Sequence, residues 1–152
     1  ALPGVLILLT DTITIELAGA PMAKERVRVT KTGHAYTPER TVNYEARLAH
    51  AAQVVMAGRP LLEGPLSVFV EITMPVAESK PKKWKDAALL GQIRPTKKPD
   101  ADNYAKVLDA LNLIVWADDS QIVDLRVTKF YGSRPSFRAT ISPTRPHSGA
   151  FA

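Results

Sequence analysis

One stretch, residues 98–121, constrains this chain more than any other, because it concentrates acidic side chains in an otherwise basic protein. Five aspartates there surround one internal lysine, Lys106: Asp100, Asp102, Asp109, Asp118 and Asp119. Carboxylates at this density repel one another unless a cation lies between them. A hard divalent metal, which takes its ligands from carboxylates and water, is the natural candidate. If these carboxylates share one ion, the fold must bring separate segments together around it.

Composition limits the class of protein. The 152 residues are 45% hydrophobic, enough for one domain with a proper core. There is no cysteine, which excludes disulfides and cysteine-ligated zinc. Twenty Lys and Arg against fifteen Asp and Glu give a formal charge of +5, which favours a polyanionic partner. The apolar run 5–9 is too short to span a bilayer and lacks a secretory pattern, so we expect an intracellular, soluble protein with no membrane partner.

The apolar pattern predicts an α/β (α+β) fold in which a small mixed sheet packs against helices. Strands are expected at 12–17, 66–74, 121–131 and 136–141, the second one central and the last two paired antiparallel. Helices are expected from Thr37 as N-cap to about Ala57, over 83–90 and over 102–112, with a loop or hairpin at 19–38. We expect one domain at 12–142, a variable extension at 1–11 and a flexible tail at 143–152.

The carboxylates permit two interpretations. Asp100 and Asp102 lie two residues apart, so in an extended segment both would face the same way, and Asp119 follows on a separate turn, as one shared cation requires. In the blander interpretation, Asp100 or Asp102 caps the helix, Asp109 pairs with Lys106 or Lys129, and Asp118 and Asp119 form a solvated turn. The residues alone leave both interpretations open.

The basic and aromatic residues likewise permit two interpretations each. Lys106 lies one turn after Asp102, so it either pairs with that carboxylate or provides a fixed charge for phosphate. Trp84 and Tyr36 either stack on bases or pack against the core, whereas Trp116, in an apolar run, is expected in the core. Six further cations are candidates for contacts to DNA phosphates, or are merely solvated: Lys24, Arg26, Arg28, Lys31, Lys97 and Lys98.

Residues 99–112, Pro-Asp-Ala-Asp-Asn-Tyr-Ala-Lys-Val-Leu-Asp-Ala-Leu-Asn, followed by Trp-Ala-Asp-Asp-Ser-Gln at 116–121, strongly resemble the RusA family of Holliday junction resolvases. The segments Gly-Ala-Pro-Met-Ala-Lys-Glu-Arg-Val-Arg at 19–28 and Ala-Tyr-Thr-Pro at 35–38 are also similar to that family. The resemblance covers roughly residues 12–142. Val27 departs from it, since family members often have proline there.

The resemblance implies a bacterial or phage-encoded, cytoplasmic homodimer that uses Mg²⁺, or Mn²⁺ in its place, to nick two strands of a four-way DNA junction. It places the catalytic aspartates and metal ligands at Asp100, Asp102 and Asp119, and the essential lysine at Lys106. Four nearby side chains are candidates to support those ligands from behind: Asn103, Asp109, Asp118 and Gln121.

The sequence-based hypothesis is thus a metal-dependent, structure-selective endodeoxyribonuclease that resolves branched DNA in recombination and repair. A non-catalytic basic DNA-binding protein is the first alternative, in which the carboxylates only cap and pair. A metal nuclease that prefers forks or flaps is the second.

Overall fold

The computed structural model describes residues 12–144 and has the predicted mixed α/β architecture. Its strands are β1 (Ile13–Ala18), β2 (Arg28–Val29), β3 (Ala35–Tyr36), β4 (Leu66–Met74), β5 (Ile122–Tyr131) and β6 (Ser136–Pro143). Its α-helices are α1 (Glu39–Met56), α2 (Lys82–Leu89) and α3 (Ala101–Ala105), and 3₁₀ helices cover Lys106–Leu111 and Asp119–Gln121. The predicted extension at 1–11 and most of the predicted tail lie outside the described residues.

The main sheet has four strands in the order β1-β6-β4-β5, so β4 is central, as its apolar sequence predicts. β4 pairs antiparallel with β6 and parallel with β5. The predicted antiparallel pairing of the last two strands is therefore wrong, because β4 lies between them. Gly132 begins the connection across the end of β4, where an added Cβ would come within 2.5 Å of Thr73 Cγ2. The close approach explains why a residue without a side chain stands there.

The core lies between one face of this sheet and the helices. α1 contributes Tyr44, Leu48, Ala52 and Met56, all buried. The helical spacing predicts Tyr44, Leu48, Ala51, Ala52 and Val55 on this side, and of these Ala51 and Val55 are only partly buried against the core. The helix begins at Glu39 with Pro38 at the N-cap, one residue later than the predicted Thr37 cap. The polypeptide before it forms the expected hairpin, in which β2 and β3 pair antiparallel.

The predicted single helix over 102–112 is divided into α3 and a tighter 3₁₀ segment, Lys106–Leu111. The spacing of Tyr104, Val107, Leu108 and Leu111 at three and four predicts that they form one buried apolar stripe. All four are buried, each at most 2% exposed. Trp116 is fully buried, and its indole nitrogen donates a hydrogen bond to Asn112 Oδ1 at 2.7 Å. This bond fastens the end of the helical segment to the start of the next acidic turn.

The edge strand β5 carries an irregularity that alternation alone does not reveal. Leu66 pairs with Ile122 but Ser67 pairs with Asp124, so Val123 is an extra residue at a β-bulge. The bulge turns Ile122 to the same face of the sheet as Leu125 and Val127. Strict alternation would instead place Ile122 on the opposite face, with Asp124. Consequently three apolar side chains of β5, Ile122, Leu125 and Val127, lie on the side of the sheet that faces α3.

Candidate metal and nucleic-acid site

A single cavity brings together the central residues of the candidate site. Asp102, Lys106 and Asp119 line a space of about 470 Å³ between the α3 segment and β5. Its remaining walls are apolar: Ala101, Ala105, Leu108, Ile122, Leu125 and Val127. We call this space the acidic cavity. Two carboxylates from separate parts of the chain therefore line one open space whose remaining walls are apolar.

The helical geometry of α3 sets the positions of Asp102 and Lys106. They are four residues apart, and the Lys106 Nζ lies 4.0 Å from Asp102 Oδ2 while donating a hydrogen bond to Asn103 Oδ1 at 3.0 Å. The side chains of both Lys106 and Asp102 are more than half exposed. An exposed pair of this kind contributes little to stability. Both charges thus remain available to a ligand.

Asp119 is presented by a turn that its neighbours hold rigidly. Asp118 accepts a hydrogen bond from Ser120 N, and Gln121 Oε1 accepts from the backbone nitrogens of Ala117 and Asp118 at 3.0 and 3.3 Å. The hydrogen bond with Ser120 lowers the pKa of the Asp118 carboxyl. Gln121 Nε2 donates to the carbonyls of Leu62 and Gly64. The predicted supporting residues Asp118 and Gln121 therefore shape the turn, and Asp119 is the residue that it directs into the cavity.

Asp100 is placed differently from the other candidate ligands. It occupies the N-cap position of α3 in an extended conformation and is exposed, but its side chain makes no capping hydrogen bond. It is absent from the residues that line the acidic cavity. The helix begins at Ala101, so Asp100 is extended whereas Asp102 is helical. The prediction that both aspartates lie in one extended segment and face the same way is therefore wrong.

Across residues 12–144, no group of three or more His, Asp or Glu side chains is arranged to hold a metal ion. Asp102 and Asp119 are the two that share a cavity. Two carboxylates still fit Mg²⁺, which usually keeps several waters and binds one or two carboxylates together with substrate phosphates. The donor set is thus compatible with a magnesium ion whose remaining ligands would be waters and a phosphate.

Lys129 is a positioning residue that the sequence does not single out. Its Nζ donates hydrogen bonds to the carbonyls of Lys97 and Pro99 at 2.9 and 2.8 Å, which ties the loop before α3 to β5. In the sheet Lys129 lies opposite the buried Ile72, an unusual place for lysine. Lys129 therefore fixes the direction from which Asp100 and α3 enter the site.

Asp109 and Lys24 belong to a structural ion pair. Lys24 Nζ contacts Asp109 Oδ2 and lies 3.5 Å from Glu45 Oε1. Burial by itself would lower the pKa of Lys24, but the two carboxylates together raise it, while desolvation raises the pKa of Glu45. The alternative prediction that Asp109 pairs with Lys106 or Lys129 is wrong, because Asp109 pairs with Lys24. The contact joins the segment before the hairpin to α1 and the 3₁₀ helix.

The other candidate DNA contacts are exposed. Arg26, Arg28 and Lys31 lie on or beside the β2–β3 hairpin, and Arg28 pairs with Glu25 at 3.2 Å. Lys97 and Lys98 lie in the loop that leads to α3. These five cations are accessible to phosphates, whereas Lys24 is engaged internally.

Replacing Lys24 or Arg26 with methionine should distinguish a cation that is paired inside the protein from one that is exposed to DNA. For Lys24→Met we expect the free energy of unfolding to fall by about 1–2 kcal/mol, because Asp109 and Glu45 lose their partner. For exposed Arg26→Met we expect little change in stability, but weaker DNA binding with a shallower salt dependence. Urea unfolding and a salt titration of DNA binding measure the two effects. The opposite pattern would contradict the assignment.

Within the described part of the chain, none of the helices combines the length and apolar character needed to cross a membrane.

The model of the family described as "Endodeoxyribonuclease RusA" matches residues 18–142. A Bacillus subtilis (strain 168) protein, "Uncharacterized protein YqaN", is 39% identical over 139 residues, which cover 86% of this chain and 96% of that protein. The family match includes every residue of the acidic cavity. The chain therefore belongs to the RusA family of endodeoxyribonucleases.

Proposed function

We propose that this protein is a Mg²⁺-dependent endodeoxyribonuclease that resolves four-way DNA junctions by paired, symmetric nicks. The observation that carries the proposal is the acidic cavity itself, where Asp102, Asp119 and Lys106 meet in a basic chain of a nuclease family. Carboxylates that served only to cap and pair would not need to face a common space.

Each side chain has a distinct task in the proposed reaction. Asp102 and Asp119 hold Mg²⁺, or Mn²⁺ in its place, and the bound ion supplies Lewis-acid chemistry for phosphodiester hydrolysis. Lys106 contributes a point charge that stabilises the negative charge developing on the phosphate. Asp100, exposed at the start of α3, is the third proposed carboxylate. Asn103 orients Lys106 through their hydrogen bond.

Two symmetric nicks require two equivalent sites, which an isologous homodimer provides. The best candidate for the shared surface is β5, the edge strand of the sheet, where Val123 is 61% and Leu125 47% exposed. An exposed apolar edge strand is a template for pairing with another chain. Because Leu125 also lines the acidic cavity, a partner subunit on β5 would lie beside the catalytic residues.

Replacing Val123 with aspartate is expected to convert the dimer to monomers at micromolar concentration, since a charge would be buried at the centre of the interface. The matched control is Val54→Asp, which alters a valine of similar exposure, 64%, on α1. Light scattering coupled to size-exclusion chromatography measures the mass. A wild-type monomer, or equal behaviour of the two variants, would rule out this interface.

The direct test of the function is cleavage of a synthetic four-way junction with and without Mg²⁺, beside a fork, a flap and linear duplex. We expect metal-dependent paired nicks in the junction and little cutting of the duplex. Preference for the fork or flap would redefine the substrate. Tight binding without cutting in Mg²⁺ or Mn²⁺ would favour a non-catalytic DNA-binding protein.

A further inference from the structure

We propose that a second cavity, on the other side of α3, binds an unpaired nucleotide of the DNA strand. This space also measures about 470 Å³, a suitable size for a small ligand. Its walls combine aromatic side chains, Trp84, Tyr104 and Tyr131, and other apolar groups with cations such as Lys80, Lys97 and Lys98. We call it the aromatic pocket. The inference rests on the proposed function only in taking the strand to belong to branched DNA.

Trp84 provides the surface on which a base would stack. The sequence left open whether Trp84 packs in the core, and the structure places it outside the core cluster, half-buried on α2. Its ring meets Tyr131 edge-on, with centroids 5.4 Å apart and planes at 65°. The edge contact holds Trp84 in position. Base–aromatic stacking suits an unpaired nucleotide, because every base has a face that can stack.

The charge of the aromatic pocket selects an anionic ligand. Five lining residues are cationic, and the lining, which falls wholly within the described residues, includes no Asp or Glu. Arg94 and Lys129 are bound to backbone carbonyls and form part of the wall. Lys97 and Lys98 are exposed. Lys80 lies over the Trp84 ring, 4.8 Å from its centroid, so a base that stacks on that face would displace the ammonium toward the nucleotide's phosphate. A neutral aromatic compound would make no ionic contact with these cations, whereas the phosphate of a nucleotide would bind them.

The position of the aromatic pocket links it to the acidic cavity. Tyr104 lines the pocket, while Asp102 and Lys106, from the same short helical segment, line the acidic cavity. Opposite sides of a helix are roughly 10 Å apart. About three stacked nucleotides span that distance at about 3.4 Å each. One strand can therefore place a phosphate at Asp102 and a neighbouring, unstacked base against Trp84.

The experiment compares binding, without divalent metal, to two four-way junctions that differ by one unpaired thymidine at the branch point. We expect the wild type to bind the junction with the unpaired base about 10-fold more tightly, and Trp84→Ala to lose that preference. Trp84→Phe should retain most of it. Circular dichroism checks that each variant is folded.

Matched charge variants and a free nucleotide identify the source of the ligand. Lys80→Met, in the lining, should reduce the preference, whereas Lys83→Met, exposed on α2 outside the lining, should weaken both junctions equally. Thymidine monophosphate should compete only at far higher concentration. The assignment is overturned if Trp84→Ala keeps the preference, if the wild type shows none, or if the mononucleotide binds as tightly as the junction. Since no cutting is measured, these results are independent of whether the protein is a nuclease.

Discussion

Replacing Asp102 with asparagine is expected to lower the rate of Mg²⁺-dependent junction cleavage by about 100-fold or more, while junction binding stays within a few-fold of wild type. The loss is large because Asp102 supplies one of the two carboxylates that face the acidic cavity. Weakening the metal site removes the stabilisation that the bound ion would give the developing negative charge, and losing one such electrostatic contribution commonly costs about 100- to 1000-fold. Binding persists because exposed cations, which this change does not touch, make the phosphate contacts.

The control for this prediction is Asp86→Asn, which neutralises an exposed aspartate on α2 that lines neither cavity. Both substitutions make the protein more basic by one charge, so a general electrostatic effect on DNA affinity would appear equally in both. Single-turnover cleavage with saturating enzyme separates the chemical step from binding. Undiminished Mg²⁺-dependent cutting by Asp102→Asn would refute the role given to this carboxylate.

Replacing Trp116 with alanine is expected to reduce the free energy of unfolding by about 3–5 kcal/mol, the usual cost of truncating a buried tryptophan. Trp116 is fully buried, and the change also removes the hydrogen bond to Asn112. Domains of this size are typically stable by about 5–15 kcal/mol, so the loss is a large fraction of the total. Because Trp116 precedes the Asp118–Asp119 turn, the same change should also disorganise the acidic cavity.

Urea unfolding followed by circular dichroism measures this effect. The chain provides a matched control in Trp84→Ala, since Trp84 is half-buried and outside the core cluster. We expect that variant to lose much less stability than Trp116→Ala. Equal losses for the two tryptophans would show that burial in the core does not distinguish them.

Local patterns predicted the elements of this fold well. The spacing of Tyr104, Val107, Leu108 and Leu111 predicted a buried stripe, and all four are buried although part of the helix is 3₁₀. Side chains three and four apart stay on one side when the helix tightens over only a few residues. Hydrophobic periodicity thus predicted burial more reliably than the type of helix.

Pairings distant in the chain were not accessible to the same reasoning. Nothing local indicates that β4 separates β5 from β6, since a short turn between two strands ordinarily forms a hairpin. The contact between Lys24 and Asp109 joins residues 85 positions apart, and a pattern of charges cannot reveal it. Alternation likewise cannot locate the bulge at Val123, because one extra residue changes which side chains face the core.

The candidate site was predicted in part. The sequence identified Asp102, Lys106 and Asp119, and the structure brings these three to one cavity. It also grouped Asp100 with them, and Asp100 lies at the N-cap of α3 without lining that cavity. The positioning role of Lys129 went unrecognised because its partners are backbone carbonyls, which no side-chain motif records.

The most direct measurement is a crystal structure of the protein with Mn²⁺, whose anomalous scattering locates the ion. We expect a single peak in the acidic cavity, with carboxylate oxygens of both Asp102 and Asp119 about 2.0–2.3 Å away. A peak bound by only one of these residues, or none in the cavity at a saturating Mn²⁺ concentration, would contradict it.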